Sequence, residues 1–413
     1  MVVPPLAIPM LAAVTPREHE IIMIDENYQK INFDEKCDIV GISVLTKTAI
    51  RSYQIAKIFR EKKVPVILGG LHPSILPEEA KQHADSVVIG EAEEIWPKLL
   101  MDFEIGKLKP FYRQTEPVDL KKIPSPRRDI IKRSFIASPV QSSRGCPYGC
   151  KFCSLTNSVH GKIHRTRPIE CVVNEIKNIN QKLLNFFDPS LTINVEYTKT
   201  LFKALKGMNK KFFCLGNVDV LCKDDELLML AKEAGCIQWH IGFESISQHS
   251  LEKIGKKTNT VENYLKTVKK IHRYGMNVHG FFIFGLDGDK KDVFDETLKF
   301  IMESKLDSVD LNTFIPFPGT PLYEELSKQG RILTKDWSKY RFQKNIVFTP
   351  KNFSELELHE GIIKIFKNYY SFKNIIKRFL NIVHRDFSFI NLTLFVIENV
   401  ISRYYFLKLI KKS

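Results

Sequence analysis

Ser143 to Leu155 reads SRGCPYGCKFCSL and carries Cys146, Cys150 and Cys153, a C-x3-C-x2-C spacing within eight positions. Three thiolates closing on one loop can hold three corners of a cubane iron–sulfur cluster. A structural zinc site normally takes four protein ligands, and the nearby His160 or His164 could supply a fourth. Paired C-x2-C knuckles are absent, so spacing favours the cluster and leaves zinc as the alternative. With three thiolates only, one iron keeps an open position where a substrate or cofactor can bind directly. Phe152, between the second and third cysteine, offers an aromatic face beside the cluster.

The elements that must position this loop follow a repeating strand–helix pattern. In the first hundred residues the apolar runs Ile21–Ile24, Ile39–Leu45, Pro65–Gly70 and Ser86–Gly90 read as strands. Arg51–Lys63 places Tyr53, Ile55, Ala56, Ile58 and Phe59 roughly on one helical face. This predicts an α/β unit over 1–103, a doubly wound, Rossmann-like parallel sheet covered on both faces. The ends of its strands, Asp25, Leu45, Gly70 and Gly90, would share one edge, where such sheets bind ligands. Residues 104–133, rich in Lys, Arg and Pro, read as a linker.

From 134 to 345 a second series follows. Its strand candidates are Phe135–Ser142, Leu184–Phe187, Phe212–Val218, Ile237–Gly242, Val278–Phe284 and Ser308–Ile315. Helical spacing recurs at Ile169, Val172, Val173 and Ile176, and again at Val261, Tyr264, Leu265, Val268 and Ile271, with Gly275 as a stop. Six units predict a full or partial (β/α) barrel, with chemistry at the C-terminal strand ends. Residues 346–413 read as a helical, aromatic-rich region. From 351 onward eight Lys and three Arg face four Glu and one Asp, a net +6. These helices are expected to pack on the barrel. The alternative is an interfacial membrane helix around 387–410, interrupted by Glu398 and Arg403.

Hydrophobic residues at 44% and charged residues at 26% exclude a disordered, collagen-like or low-complexity chain. Eight cysteines in 413 residues are too few for a disulfide scaffold and point to a reducing, cytoplasmic setting. The start, MVVPPLAIPMLAAV, lacks a basic n-region and reads poorly as a signal peptide. No run of about 18 apolar residues suits a spanning helix. Lys and Arg total 62 against 47 Asp and Glu, a net +15 that suits anionic lipid, nucleic acid, an acidic cofactor or simply solvated basic faces. No separate RNA-binding module is visible, so nucleic acid is not the expected partner.

The cysteine spacing, with an aromatic before the last Cys, resembles the signature of the radical S-adenosylmethionine (radical SAM) superfamily. The resemblance implies a 4Fe-4S cluster whose open iron is chelated by the amino and carboxylate groups of S-adenosylmethionine. Reductive cleavage then yields a 5′-deoxyadenosyl radical, with a reductant such as flavodoxin or ferredoxin. It implies Phe152 against adenine, and Glu244 of GFES accepting the ribose hydroxyls. Phe281–Leu286 (FFIFGL) resembles the fifth strand, where Gly285 permits close approach to adenine, and Pro316–Leu322 resembles the turn closing the sixth. Asp188 of LNFFDPS, with Asn217 and Asp219 of GNVDV, stands where the family carries polar strand ends. Where relatives have consecutive acidic residues, this chain has Asp188, Pro189 and Ser190.

In the first unit Ser43, Val44 and Leu45, followed by Gly69 and Gly70, resemble part of a cobalamin-binding signature. Gly69–Ala80 and Ile89–Trp96 look like the cobalamin-binding domain that precedes many radical SAM modules. Two departures stand out. No Asp-x-His-x-x-Gly occurs, so no histidine of that motif can reach cobalt. No strand precedes Pro4–Met10 (PPLAIPM), so the chain is truncated there or the domain is degenerate. The resemblance spans Pro4 to about residue 375. It implies radical methylation of an unactivated carbon of a small-molecule or lipid-like substrate, with cobalamin relaying the methyl group. The alternatives are a cobalamin-independent cyclisation or rearrangement, or an iron–sulfur binding or sensor protein. Peripheral membrane contact through the C-terminal region is a further expectation.

Overall fold

The computed structural model describes residues 4–342, 345–385 and 389–410. Its first sheet has four parallel strands: β1 Val40–Ser43, β2 Val66–Gly69, β3 Ser86–Ile89 and β4 Phe111–Arg113. Alternation along the strands decides what each face buries. Val66, Leu68, Val87 and Ile89 pack under the helices Ala49–Glu61 and Pro77–His83 through Tyr53, Ala56, Phe59 and Ala80. Ile67 and Val88 point the other way and meet Ile95 and Leu99 at the helix Trp96–Glu104. Both faces are therefore covered, as the sequence predicts.

Two expectations change here. Ile21–Ile24 is not a strand, and Ile22 and Ile24 are exposed. Among the described residues nothing lies beyond β1 to pair with them, and an extended run without a ladder forms no sheet. The strands run in the order β1-β2-β3-β4. Residues 104–133 are not only linker. Tyr112 in β4 pairs with Val88, and Val118 and Leu120 are buried. The Lys- and Pro-rich flanks hid a strand only three residues long.

The second sheet runs β5 Ala137–Val140, β8 Leu183–Phe186, β9 Lys211–Leu215, β10 Cys236–Glu244, β11 Asn277–Phe284 and β12 Ser308–Thr313. A short antiparallel hairpin, β6 Ser143–Arg144 with β7 Arg165–Thr166, interrupts it after β5. All six main strands pair in parallel and in sequence order, and β5 and β12 stay unpaired edges. This is the partial (β/α)6 barrel. One face of the alternation (Trp239, Ile241, Phe243, Val278, Phe282, Phe284) packs under the surrounding helices. Each such aromatic contributes roughly 1.5–3 kcal/mol of burial. The other face carries His240, Gly242, His279, Phe281 and Asp310 towards the lumen.

Three helices finish the chain: Glu355–Tyr369, Phe372–Arg385 and Phe389–Ile410. Ser354 and Glu357 form a capping box at the first. Glu398 accepts from Ser308 Oγ (2.8 Å) and Gln238 Nε2 (3.1 Å), so the last helix seals the floor of the barrel, below the starts of β10 and β12. The expected docking is thus present. Part of the alternative interfacial stretch, including Phe387 and the side chains of Phe389, Tyr405 and Phe406, lies outside the described residues. No described helix is long and apolar enough to cross a membrane.

Candidate active site

The cysteine loop leaves β5 at the barrel's mouth, bracketed by the β6–β7 hairpin. Gly145, at φ +82°, lies against the Ile163 carbonyl so closely that no Cβ would fit. The Cys146 amide donates to Gly161 O (2.8 Å), and Thr156 Oγ1 donates to the Cys146 carbonyl (2.6 Å). Asn157 Nδ2 donates to the carbonyls of both Cys150 and Cys153 (3.1 and 2.8 Å). With the backbone thus tied down, the three side chains are free thiols. Burial pushes Cys146 up and Cys150 up to about 11, while the Lys256 ammonium works against the rise at both. Metal binding would remove those protons. Among the described residues no three His, Cys, Asp or Glu side chains converge tightly enough to hold one metal ion. A cubane distributes its thiolates over separate irons and needs no such convergence. The zinc alternative, by contrast, finds no four-ligand group. His160 has a buried Nε2 without a partner, and burial together with Arg165 lowers the His164 pKa.

Glu244 leaves β10 with φ +62°, at a register shift between Gly242 and Glu244. Such strain in a non-glycine residue is held only by its surroundings. The carboxylate folds back over Gly242, where any Cβ would collide with it, and takes Lys256 Nζ at 3.0 Å. Lys256 also faces Cys150 and Cys153. Nothing in its Lys-rich context marks it, and the sequence reading missed it.

The remaining strand-end residues sort by what their atoms already do. Asp188 is buried, accepting from Ser142 N (3.1 Å), Ser142 Oγ (2.7 Å) and Ser143 Oγ (2.6 Å). Burial raises its pKa against those donors. Its role in the structure is to anchor the start of the cysteine loop, which removes it from the expected cofactor contacts. Asp219 caps Thr260 and Asn263. Asn217 is buried; its amide nitrogen makes no hydrogen bond of ordinary geometry, yet lies close enough to Tyr148 to oppose the burial-driven rise of that phenol. Gly285 turns at φ +92° and donates, with Leu286, to Asp289 Oδ2. Burial lifts Asp289 to about 6. Phe152 is half-buried against the barrel core. In the lumen below, His240 and His279 lie 5.1 Å apart, and His279 Nε2 meets Asp310 Oδ2 at 3.5 Å. Burial, with His279 beside it, lowers the His240 pKa, whereas at His279 Asp310 overcomes burial and raises the pKa.

Beside the loop lies a cavity of about 360 Å³. Ser43, Gly69 and Gly70 line it, as do Gly41 and Gly90; Leu45 does not, and is exposed. The helix Ala7–Val14 and Trp96 close one side. Gln141, Arg144 and Arg167 of the barrel form the opposite wall, and no histidine is among the lining residues. Ion pairs of Arg144 and Arg165 with Glu91 and Glu93 join the two units across it, and a second cluster around Glu175 stands on the barrel side. Arg144 pairs with Glu93 and Glu91, Arg165 with Glu91 (2.7 Å), and Arg128 and Arg167 both with Glu175 (2.6 Å). At Glu91 burial works upward, but Arg165 and Arg144 overcome it and hold the pKa at about 2. A larger groove of about 950 Å³ on the far side of the helix Ala49–Glu61 contains none of the expected site residues.

The family model of the radical SAM superfamily matches residues 140–301, and that of the B12 binding domain matches residues 1–100. The chain is 30% identical over 388 residues to the bacteriochlorophyllide d C-12(1)-methyltransferase of Chlorobaculum tepidum, covering 91% of this chain and 84% of the relative.

The chain belongs to the radical SAM superfamily.

It is the cobalamin-binding kind of radical SAM enzyme, whose cofactors are a 4Fe-4S cluster, S-adenosylmethionine and cobalamin. The C-8(2)-methyltransferase of the same organism is also 30% identical, over 396 residues, covering 91% of this chain and 87% of that one. An anaerobic magnesium-protoporphyrin IX monomethyl ester cyclase of Cereibacter sphaeroides is 27% identical, covering 81% and 60%. In fold, the chain matches the cobalamin-dependent radical enzyme OxsB with TM-score 0.70 at 16% identity, covering 98% of this chain and 70% of that one. The residues fit these groups. Three undisulfided thiols on a fixed loop are a cluster donor set, and the cavity is a cradle that a side chain at Gly69 would begin to fill.

Proposed function

We propose that this radical SAM enzyme methylates an unactivated carbon of a small lipophilic molecule of the tetrapyrrole class, by way of cobalamin. The observation that carries this reading is the shared segment. Arg144 walls the glycine-lined cavity and stands two residues before Cys146, so the two cofactor regions meet at one stretch of chain. When bound, the cluster with S-adenosylmethionine supplies the radical, and cobalamin supplies the methyl group. Cys146, Cys150 and Cys153 hold the cluster. Glu244 accepts the ribose hydroxyls while Lys256, at 3.0 Å, keeps it aimed. Phe152 packs on adenine, and Asn217 and the turn at Gly285 complete that wall. Ser43, Gly69 and Gly70 leave room for the corrin. Asp188 holds the loop from behind, and His240, His279 and Asp310 offer the substrate polar contacts in the lumen. A flavodoxin or ferredoxin delivers the electron.

The test is a balance of products. Methyl transfer by this route consumes two molecules of S-adenosylmethionine and leaves S-adenosylhomocysteine and 5′-deoxyadenosine in equal amounts. Reconstituted enzyme given bacteriochlorophyllide d should form both, with a methylated product. 5′-Deoxyadenosine without S-adenosylhomocysteine would reject methyl transfer and favour a cyclisation, the reaction in the name of the Cereibacter sphaeroides relative.

A further inference from the structure

The last two helices run antiparallel, with Phe372 beneath Arg403 (4.1 Å), Arg378 bonded to Asn399 (2.7 Å) and Phe379 beside Phe395 (6.2 Å). That pairing sets two stripes side by side on the outside. The first carries Phe372, Ile376 and Leu380 at 68%, 58% and 51% exposure; the second carries Val396 and Val400, one turn apart, at 45% and 54%. Five large apolar side chains on adjoining helix faces are far from the scattered single exposures ordinary in soluble proteins. The charges that interrupt the apolar sequence here do not interrupt this face. Glu398 reaches inward to Ser308 and Gln238. Arg403 lies over Phe372 and donates to the Tyr370 carbonyl (2.6 Å). Arg378 is buried over Tyr369. Lys373 and Lys377, each next in sequence to a stripe residue, are exposed. From 372 to 385 the sequence holds no acidic residue.

We propose that this two-helix face docks flat on an anionic lipid bilayer. An apolar stripe flanked by lysines is the pattern of a helix lying in the interface plane. The stripe enters the acyl boundary while the ammonium groups meet the headgroups. The face lies beyond the barrel floor, whereas the cysteine loop and the cavity open at the opposite end. Docking therefore leaves the cofactor side turned to water, where a soluble reductant can reach it. The proposal does not depend on which carbon is methylated, or on methylation at all.

The experiment uses the full reconstituted chain and sedimented vesicles, phosphatidylcholine alone or mixed with phosphatidylglycerol. The wild type should bind the mixed vesicles, bind the neutral ones weakly, and release in high salt. Phe372→Ser/Ile376→Ser/Leu380→Ser should weaken binding about tenfold or more, given the apolar area withdrawn. Lys373→Glu/Lys377→Glu, which leaves the apolar face intact, should abolish the preference for anionic vesicles. Both variants should cleave S-adenosylmethionine as the wild type does. Wild-type binding by both variants, or no vesicle binding by the wild type, overturns the proposal. So does a light-scattering dimer that the triple variant dissolves, which would make this a contact between two copies.

Discussion

The cysteine loop and the glycine-lined cavity lie on either side of Arg144, yet they are written in opposite ways. The loop is defined by groups that are present: three thiols, an aromatic ring, and a carboxylate with its lysine. The cavity is defined by side chains that are missing, at Gly41, Gly69, Gly70 and Gly90. Even those glycines differ. Gly70 and Gly90 sit at φ +100° and +98°, so their backbone requires glycine whatever is bound. Gly41 and Gly69 have no such backbone constraint, but a Cβ at Gly41 would press on the Trp96 ring at 3.2 Å, so Gly69 alone serves only to leave room. Reactive groups are legible in a single sequence because few residue types can do the chemistry. Empty space is not, because any small residue can provide it.

The sharpest break of this comparison is at the thiols. Cys146→Ala, Cys150→Ala or Cys153→Ala should each abolish S-adenosylmethionine cleavage and reduce iron from about four per chain. Each should still retain cobalamin. Cys37→Ala, Cys171→Ala, Cys214→Ala, Cys222→Ala and Cys236→Ala should keep cleavage. Iron content and 5′-deoxyadenosine yield measure the first effect, and the visible spectrum after desalting measures the second. Loss of both cofactors from one thiol variant would show that the regions are not separable.

The ion network between them predicts acid sensitivity. A glutamate ordinarily titrates near 4.5, and Glu91 in the folded chain at about 2. Its pairing thus contributes fully above pH 4.5 and is lost as pH falls from 4.5 towards 2. The integrated contribution is at most about 3 kcal/mol. Urea unfolding should show stability falling through that window, and Glu91→Gln should flatten the slope while lowering stability at neutral pH. An unchanged slope would assign the acid response to other carboxylates.

What the sequence conveyed follows the same division. The six barrel strands all appear within a few residues of their predicted positions, because each is a β-rich apolar run between amphipathic helices. The three thiols and Glu244 lie on recognisable motifs. Lys256 was missed because a lysine among lysines carries no signal until Glu244 folds back onto it. Asp188 was misread for the converse reason: a strand-end carboxylate looks available until Ser142 and Ser143 are seen to occupy it. Ile21–Ile24 reads as a strand locally, but a strand also requires a neighbour, and that is a property of the sheet.

Glu244 tests the chemical side at intermediate strength. Losing charge-assisted bonds to ribose costs about 1.5–3 kcal/mol, so Glu244→Ala should weaken S-adenosylmethionine roughly 10- to 150-fold in equilibrium titration. The iron content should stay unchanged. Unaltered affinity would leave Glu244 as a partner for Lys256 and nothing more.

The smallest expected effect tests the cavity, and it must avoid the backbone. Gly70→Leu is uninformative, because at φ +100° a Cβ would also press on the Val44 backbone, at 2.9 Å from its carbonyl oxygen. Gly69 is the clean position. A Cβ there would meet only Val88, at an ordinary 3.6 Å, so Ala is tolerated by the fold. Gly69→Ala should therefore change stability little and cobalamin retention only slightly. Gly69→Leu projects a branched side chain into a cavity of about 360 Å³, and should weaken cobalamin about tenfold while the cluster still forms. Graded loss from Gly to Ala to Leu, at constant iron, is the signature of steric exclusion. Equal retention in all three would mean that the corrin does not occupy this cavity, and the two regions would no longer be halves of one site.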